Sequence, residues 1–138
     1  MEQTISLHTV GLLHIRERKL LLAFSNNKQC YYLPGGKVDA GETAVSALLR
    51  EIAEELKVQL AENNLHYYTH ISAPAFGETN GTIMEQDCYM LAGDFHPQPS
   101  AEIGAVHYFT TDEYLQQAVT APGAVMILEQ LQANGLID

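Results

Sequence analysis

Three glutamates at the end of one amphipathic segment constrain this chain more than any other feature. Glu51, Glu54 and Glu55 close a segment that follows the loop Leu33-Pro34-Gly35-Gly36. In the last turns of a helix, a carboxylate interacts unfavourably with the helix dipole and lowers the stability of the helix by roughly a few tenths of a kcal/mol. Glu51 and Glu55 also form a like-charge pair one turn apart, which adds a similar penalty. A sequence that keeps three such carboxylates together indicates a site for a divalent cation.

The spacing of these residues predicts a helix with two distinct faces. At about 100° per residue, the three glutamates fall within an arc of roughly 100°. A second arc, which we expect to face a core, is apolar and contains Val45, Leu48, Leu49, Ile52 and Leu56. Oxygen ligands suit hard cations such as Mg²⁺ and Mn²⁺. On spacing alone, a solvated acidic face is the alternative interpretation.

A longer pattern surrounds the glutamates and identifies a family. In order along the chain it comprises Gly36, Glu42, Arg50-Glu51-Ile52, Glu54-Glu55 and Val58, preceded by Tyr32-Leu33-Pro34-Gly35 and including the Gly41-Glu42 pair. This pattern resembles the signature of the Nudix hydrolases. Lys57 stands where the family usually has a glycine that ends the helix in the left-handed conformation, so the departure concerns the helix end and removes no metal ligand. The resemblance implies a single MutT-like domain over residues 1–138, folded as an α/β/α sandwich with a mixed β-sheet.

The resemblance also implies roles for individual residues. The Gly35 carbonyl, Glu54 and Glu55 would ligate the metal, and Glu51 would be either a ligand or the general base. Arg50 would orient a carboxylate of the motif, and Gly36, Gly41 and Glu42 would be structural. The family often adds an acid from a later loop, and Glu102 matches that position best. Weaker candidates for this added acid are Glu78, Glu85 and Asp87, while Tyr31, Tyr89 and Tyr108 are candidates for stacking on a base.

The remaining sequence predicts an alternation of strands and helices, hence an α/β domain. Strands are expected over 4–15, 19–24, 31–33, 65–72, 82–92 and 104–109, with the first two forming a hairpin and a loop at Gly35-Gly36. Helices are expected over 42–56 and 122–133, with a short one from Thr111 that Thr111 or Asp112 would cap. His66 and His70 are four apart in a strand, a spacing that places both on one sheet face.

The acidic composition of the chain limits the kinds of molecule that it is expected to bind. The formal net charge of −10 disfavours long nucleic acids and anionic membranes, but a small phosphorylated ligand remains compatible if a metal bridges the like charges. The two cysteines, Cys30 and Cys88, are not spaced as metal ligands. We therefore expect both to be free thiols in a cytoplasmic protein. We expect neither a signal peptide nor a membrane helix. A homodimer is compatible with the sequence.

The resemblance implies hydrolysis of a diphosphate bond with Mg²⁺ or Mn²⁺. Because this chemistry depends mainly on positioning and charge neutralisation, a carboxylate cluster without a nucleophilic serine or cysteine is enough for it. A nucleoside triphosphate is the leading substrate. ADP-ribose or a nucleotide sugar is the alternative, for which Pro74 is a weak indicator. A regulatory nucleotide-binding domain on the same fold is a third hypothesis, disfavoured because the motif carboxylates are retained.

Overall fold

Strands and helices alternate along the chain as an α/β protein requires. The computed structural model describes residues 5–77 and 81–138. The strands are β1 Ser6–Leu13, β2 Ile15–Arg16, β3 Lys19–Ser25, β4 Cys30–Tyr32, β5 Gly35–Lys37, β6 Leu65–Pro74, β7 Ile83–Leu91 and β8 Ile103–Phe109. The helices are α1 Ala44–Leu56, α2 Thr111–Leu115 and α3 Pro122–Ala133, with a single 3₁₀ turn at Glu62–Asn64. None of the helices in the described ranges has the length and apolar character needed to cross a membrane.

The strands of the described ranges form two four-stranded sheets. The first has the order β5-β1-β7-β6 and is mixed, because β1 and β7 run parallel whereas β5 and β6 are antiparallel to their neighbours. In the second, β3 pairs with β8 along one edge and with β2 and β4 on the other, all antiparallel. The prediction of an α/β fold with a mixed sheet is confirmed.

Helices pack on both faces of this β structure, as a sandwich requires. Side chains alternate between the two faces of a strand, and β3 shows the consequence. Leu20 and Leu22 belong to the apolar cluster that contains α3, whereas Leu21 and Ala23 belong to the cluster that contains α1. The two helices are therefore separated by strands that are buried on both sides.

The predicted hairpin of the first two strands is wrong in extent. Of the predicted first strand, only the β2 part pairs with β3, through two residue pairs. The β1 part pairs instead with β7, over the whole length of Ser6–Leu13. The break falls at His14, whose ring is buried and hydrogen-bonded to the Tyr108 hydroxyl at 2.8 Å and the Gly93 carbonyl at 3.0 Å. Because β7 offers a full-length parallel partner, β1 joins the other sheet.

The two glycines before the first helix form an edge strand rather than the expected loop. β5 pairs with β1 and sets Gly35 opposite Gly11. Gly35 has φ +139°, and a Cβ there would lie 2.0 Å from the Val10 carbonyl oxygen. Only glycine permits this backbone at this separation, so the sequence Gly35-Gly36 brings the chain close against β1.

Two helix starts differ from the sequence-based expectation. Thr43 caps α1, because its hydroxyl accepts the Ser46 N–H and the Ser46 hydroxyl accepts the Thr43 N–H. Glu42 therefore precedes the helix instead of opening it. Thr110, not Thr111 or Asp112, caps α2, whereas α3 has the predicted bounds.

Candidate active site

Helix α1 presents its three glutamates in three different environments. Glu55 is buried at 5% exposure, the Glu51 side chain is 17% exposed, and the Glu54 side chain is 58% exposed. The spacing that puts them on one arc of the helix therefore does not make them equivalent. Glu51 and Glu55 face the protein, while Glu54 faces solvent.

The buried Glu55 carboxylate bridges α1 and the edge strand β5. Its Oε1 accepts the backbone N–H of Gly35 at 3.0 Å. Burial, followed by the nearby Glu51 and Glu102 carboxylates, raises the pKa of Glu55 to about 8, against the opposing effect of the Gly35 hydrogen bond. The burial of Glu55 and the neighbouring carboxylates therefore disfavour its ionised form, and a bound cation would favour that form.

Arg50 holds the second carboxylate in place. Its Nη1 donates to Glu51 Oε1 at 2.8 Å, while Nε and Nη2 donate to the two oxygens of Glu42 at 2.8 and 2.9 Å. Glu42 also accepts the Asp39 N–H. The Arg50 hydrogen bonds, with that of Asp39, lower the pKa of Glu42 to about 2. Burial is the main reason that the pKa of Glu51 is raised despite its contact with Arg50.

Gly36 leaves the space that the Glu51 carboxyl occupies. A Cβ at this position would lie 2.6 Å from Glu51 Cδ and 2.8 Å from both of its oxygens. Gly41, in contrast, has open space around it and a φ of +85°, so its role is that of a turn residue. The pair Gly41-Glu42 thus shapes the turn that delivers Glu42 to Arg50.

Glu102 reaches the same site from a distant part of the chain. Its Oε2 accepts Nδ2 of Asn27 at 2.7 Å, and its carbonyl accepts the Asn26 N–H at 2.8 Å. The preceding loop is joined to α1, because Ser100 donates its N–H to the Glu55 carbonyl at 2.8 Å. The loop before β8 is therefore fastened both to the end of α1 and to the loop after β3.

A cavity of about 370 Å³ collects these groups. Its acidic side includes Glu51, Glu55 and Glu102 together with Gly35 and Gly36, and Glu54 is not among its lining residues. As these side chains stand, no three acidic, histidine or cysteine residues of the described ranges converge closely enough to hold a metal ion. The donor set is nevertheless made of carboxylate oxygens, which suit Mg²⁺ and Mn²⁺.

Most residues on the other side of the cavity were not predicted as site residues from the sequence. This side is mostly apolar and is formed by Tyr32, Pro74, Ala75, Phe76, Met84 and Ala124, with Lys28 and Gln86 among the polar exceptions. Met84 and Gln86 lie on alternate positions of β7. The alternation of these positions is visible in the sequence. Only the docking of α3 decides that the face of β7 carrying Met84 and Gln86 lines the cavity.

The remaining sequence candidates lie elsewhere. Asp87 Oδ1 and Glu85 Oε1 each lie 2.8 Å from a ring nitrogen of His70 on the sheet surface, and neither residue lines the cavity. Glu78 lies outside the described residues. The three tyrosine candidates for stacking also point away from the cavity: Tyr31 packs on Phe24 and Phe109, Tyr89 on Tyr67, and Tyr108 on His14.

His66 and His70 do not share a sheet face, contrary to the prediction from their spacing. The register of β6 on β7 shifts between Tyr67 and Thr69. His66 consequently lies opposite Met90 and His70 opposite Asp87, and these partners are on opposite faces of β7. A bulge inserts one residue and reverses the side on which later side chains emerge.

Comparison with known proteins agrees with this architecture. The family model described as NUDIX domain matches residues 7–130. The chain belongs to the NUDIX domain family. The prediction of a Nudix hydrolase, MutT-like in its small size, is thereby confirmed.

Solved structures with the same fold include several Nudix proteins. The E. coli ORF135 protein is 26% identical with a TM-score of 0.72, over 94% of this chain and 91% of that one. A MutT Nudix hydrolase from Burkholderia pseudomallei is 24% identical with a TM-score of 0.75, over 94% and 99%. The Nudix domain of Shewanella oneidensis NrtR, solved with ADP ribose, is 17% identical with a TM-score of 0.67, over 97% and 90%. No curated protein matches the sequence.

Proposed function

We propose that this Nudix hydrolase cleaves a diphosphate bond in a nucleoside diphosphate linked to another moiety, with a nucleoside triphosphate as the leading substrate. One observation carries the proposal. The same cavity joins a cluster of three carboxylates, of which Glu55 is buried, to an apolar slot. The carboxylate side suits a cation-bound diphosphate, and the apolar side suits a flat base. The proposal treats residues 1–138 as one functional domain.

The donor set supports Mg²⁺ or Mn²⁺ as the cofactor. Glu51, Glu55 and Glu102 supply carboxylate oxygens to one cavity, and burial, followed by the neighbouring carboxylates, raises the pKa of Glu55. The Gly35 carbonyl and Glu54 complete the proposed ligands. A bound divalent cation would supply charge neutralisation at the phosphates and acidify water. Because the Glu54 side chain is mostly in solvent, it can change rotamer without losing a packing contact.

The chain's own residues would position these groups. Arg50 is proposed as a positioning residue, because its guanidinium fixes the Glu51 carboxylate. The Glu42 carboxylate in turn balances the charge of the guanidinium and holds its plane through two hydrogen bonds. Glu51 then acts either as a ligand or as the general base that takes a proton from water at one of its carboxylate oxygens. Gly36 contributes by leaving room for that carboxylate.

ADP-ribose or a nucleotide sugar is the second candidate. Pro74 lines the cavity, and the Shewanella domain was solved with ADP ribose. A purely regulatory binding role is the third, and the retention of Glu42, Glu51, Glu54 and Glu55 argues against it. The buried free thiols of Cys30 and Cys88 support a reducing location such as the cytoplasm.

The test is hydrolysis of a substrate panel. Phosphate and pyrophosphate release are measured for nucleoside triphosphates, ADP-ribose, nucleotide sugars and dinucleotides with Mg²⁺, with Mn²⁺ and with chelator. Glu55→Gln is the inactive control, and Glu129→Gln, at an exposed position on α3, is the matched control that should keep full activity. Metal-dependent release that only the Glu55 variant loses supports the proposal. Nucleotide binding without any turnover would instead support the regulatory role.

A further inference from the structure

A buried carboxamide stands on the cavity floor without a hydrogen-bond partner. Gln86 is 6% exposed, lines the cavity, and its side chain has no partner among the described residues. Its amide packs over Gly11, where a Cβ would lie 3.2 Å from the amide carbon and nitrogen. Buried primary amides normally satisfy their two N–H donors and their carbonyl acceptor. Gln86 therefore keeps hydrogen-bonding capacity that the fold does not use.

The amide opens onto the cavity. Every described side-chain nitrogen or oxygen that is sealed from solvent has a partner, so the unpaired amide of Gln86 is not sealed. Gln86 lies on β7, and β1 separates β7 from the edge strand β5, to which Glu55 is bonded. Two strand spacings put Gln86 about 10 Å from that edge. This separation suits the distance from a nucleobase to its phosphates.

The first turn of α3 adds unpaired donors to the same space. Ala121, Gly123 and Ala124 line the cavity, and α3 begins at Pro122 without a side-chain cap. The N–H groups of Gly123 and Ala124 have no acceptor among the described residues. The first N–H groups of a helix point outward along its axis and bind acceptors. Gly123 is close to the sheet, since a Cβ there would lie 2.7 Å from Met84 Cε.

We propose that the Gln86 carboxamide and the first N–H groups of α3 bind the polar edge of the nucleobase and set which base is preferred. This inference rests on the proposed function and specifies its substrate. A carboxamide pairs with an edge that offers one donor and one acceptor, and the helix N–H groups donate to acceptor atoms. Every nucleobase offers such an edge, adenine through its amino group and ring nitrogens and the others also through their carbonyls, but the order of donors and acceptors differs from base to base. A fixed carboxamide and fixed N–H groups therefore match one of these orders better than the rest.

The experiment compares kcat/KM for nucleoside triphosphates that differ only in the base. The wild type should prefer its best base over its poorest by a ratio of roughly ten-fold or more, and equal kcat/KM values for all bases would overturn the inference. Gln86→Leu, similar in size, should bring that ratio close to one. Gln132→Leu, at an exposed position on α3, is the matched control and should keep the ratio. Thermal unfolding of all three proteins verifies that the fold is intact.

A binding measurement separates this inference from the proposed reaction. Nucleoside monophosphates of each base are titrated into the wild type and into Gln86→Leu by calorimetry, without turnover. A base preference in the wild type that Gln86→Leu loses supports the inference even if no triphosphate is hydrolysed, in which case only the proposed function fails. An unchanged ranking in Gln86→Leu, or no binding of any nucleotide, overturns it.

Discussion

Replacing Glu55 by glutamine should stabilise the protein while abolishing its metal response. Glu55 is buried beside Glu51 and Glu102, and its pKa is raised from 4.5 to about 8. Between these pH values the folded protein holds a proton that the unfolded chain releases. The stabilisation from protonated Glu55 is therefore complete below pH 4.5 and is lost as the pH rises through about 8.

The size of the effect follows from the shift. One pKa unit corresponds to about 1.4 kcal/mol. Glu55 therefore lowers the free energy of unfolding by about 3 kcal/mol between pH 4.5 and pH 7. The Glu55→Gln variant carries no charge, and its amide oxygen can still accept the Gly35 N–H. We expect it to exceed the wild type by roughly 1 to 3 kcal/mol at pH 8 and to match it more closely at pH 4.5. At this chain length 1 kcal/mol corresponds to roughly 4 °C in Tm.

The assay is thermal unfolding at a series of pH values between these limits, first with chelator and then with Mg²⁺. Subtracting wild-type from variant values removes the contribution of groups that titrate in both proteins. Added Mg²⁺ should raise the Tm of the wild type and have little effect on Glu55→Gln, and Glu129→Gln should behave as the wild type. Parallel curves for the wild type and Glu55→Gln across the pH series would refute the argument that Glu55 is a destabilising buried charge.

Three further changes test the surroundings of the site. Gly36→Ala should lower kcat by about ten-fold with the fold retained, because the new Cβ would collide with the Glu51 carboxyl. Circular dichroism and steady-state kinetics check this prediction, and an unchanged kcat contradicts it. Lys57→Gly should raise stability by about 0.5 kcal/mol without changing the rate, because Lys57 has the left-handed φ of +56°; a large loss of rate would mean that Lys57 contacts substrate. Arg50→Lys should lower activity because lysine cannot hold Glu42 and Glu51 together as the guanidinium does, and a rate equal to the wild type would remove Arg50 from the positioning role.

Local sequence rules account for the bounds of α3, for the end of α1 and for the family. The motif from Gly36 to Val58 is sufficient to indicate the Nudix family, and α3 begins at Pro122 and ends at Ala133 as predicted. Lys57 also ends α1 in the left-handed conformation that the missing glycine would have adopted. These features depend on short-range dihedral preferences and on side chains within one or two turns.

Tertiary contacts decided what the local rules could not. Whether β1 pairs with β3 or β7 depends on a partner far along the chain, and a single bulge in β6 was enough to put His66 and His70 on opposite faces. The Gly35-Gly36 segment became a strand because β1 supplied an edge for it to pair with.

The same division applies to the site. The sequence by itself determined which carboxylates cluster at the end of α1, because helical periodicity alone sets their common arc. Only the tertiary structure decided that Glu55 is buried, that Glu54 is exposed and that Glu102 joins them. It also placed Gln86 in the cavity, since α3 docks on the face of β7 that carries Met84 and Gln86. Burial and long-range proximity arise from packing between elements, and one strand or helix alone carries no information about them.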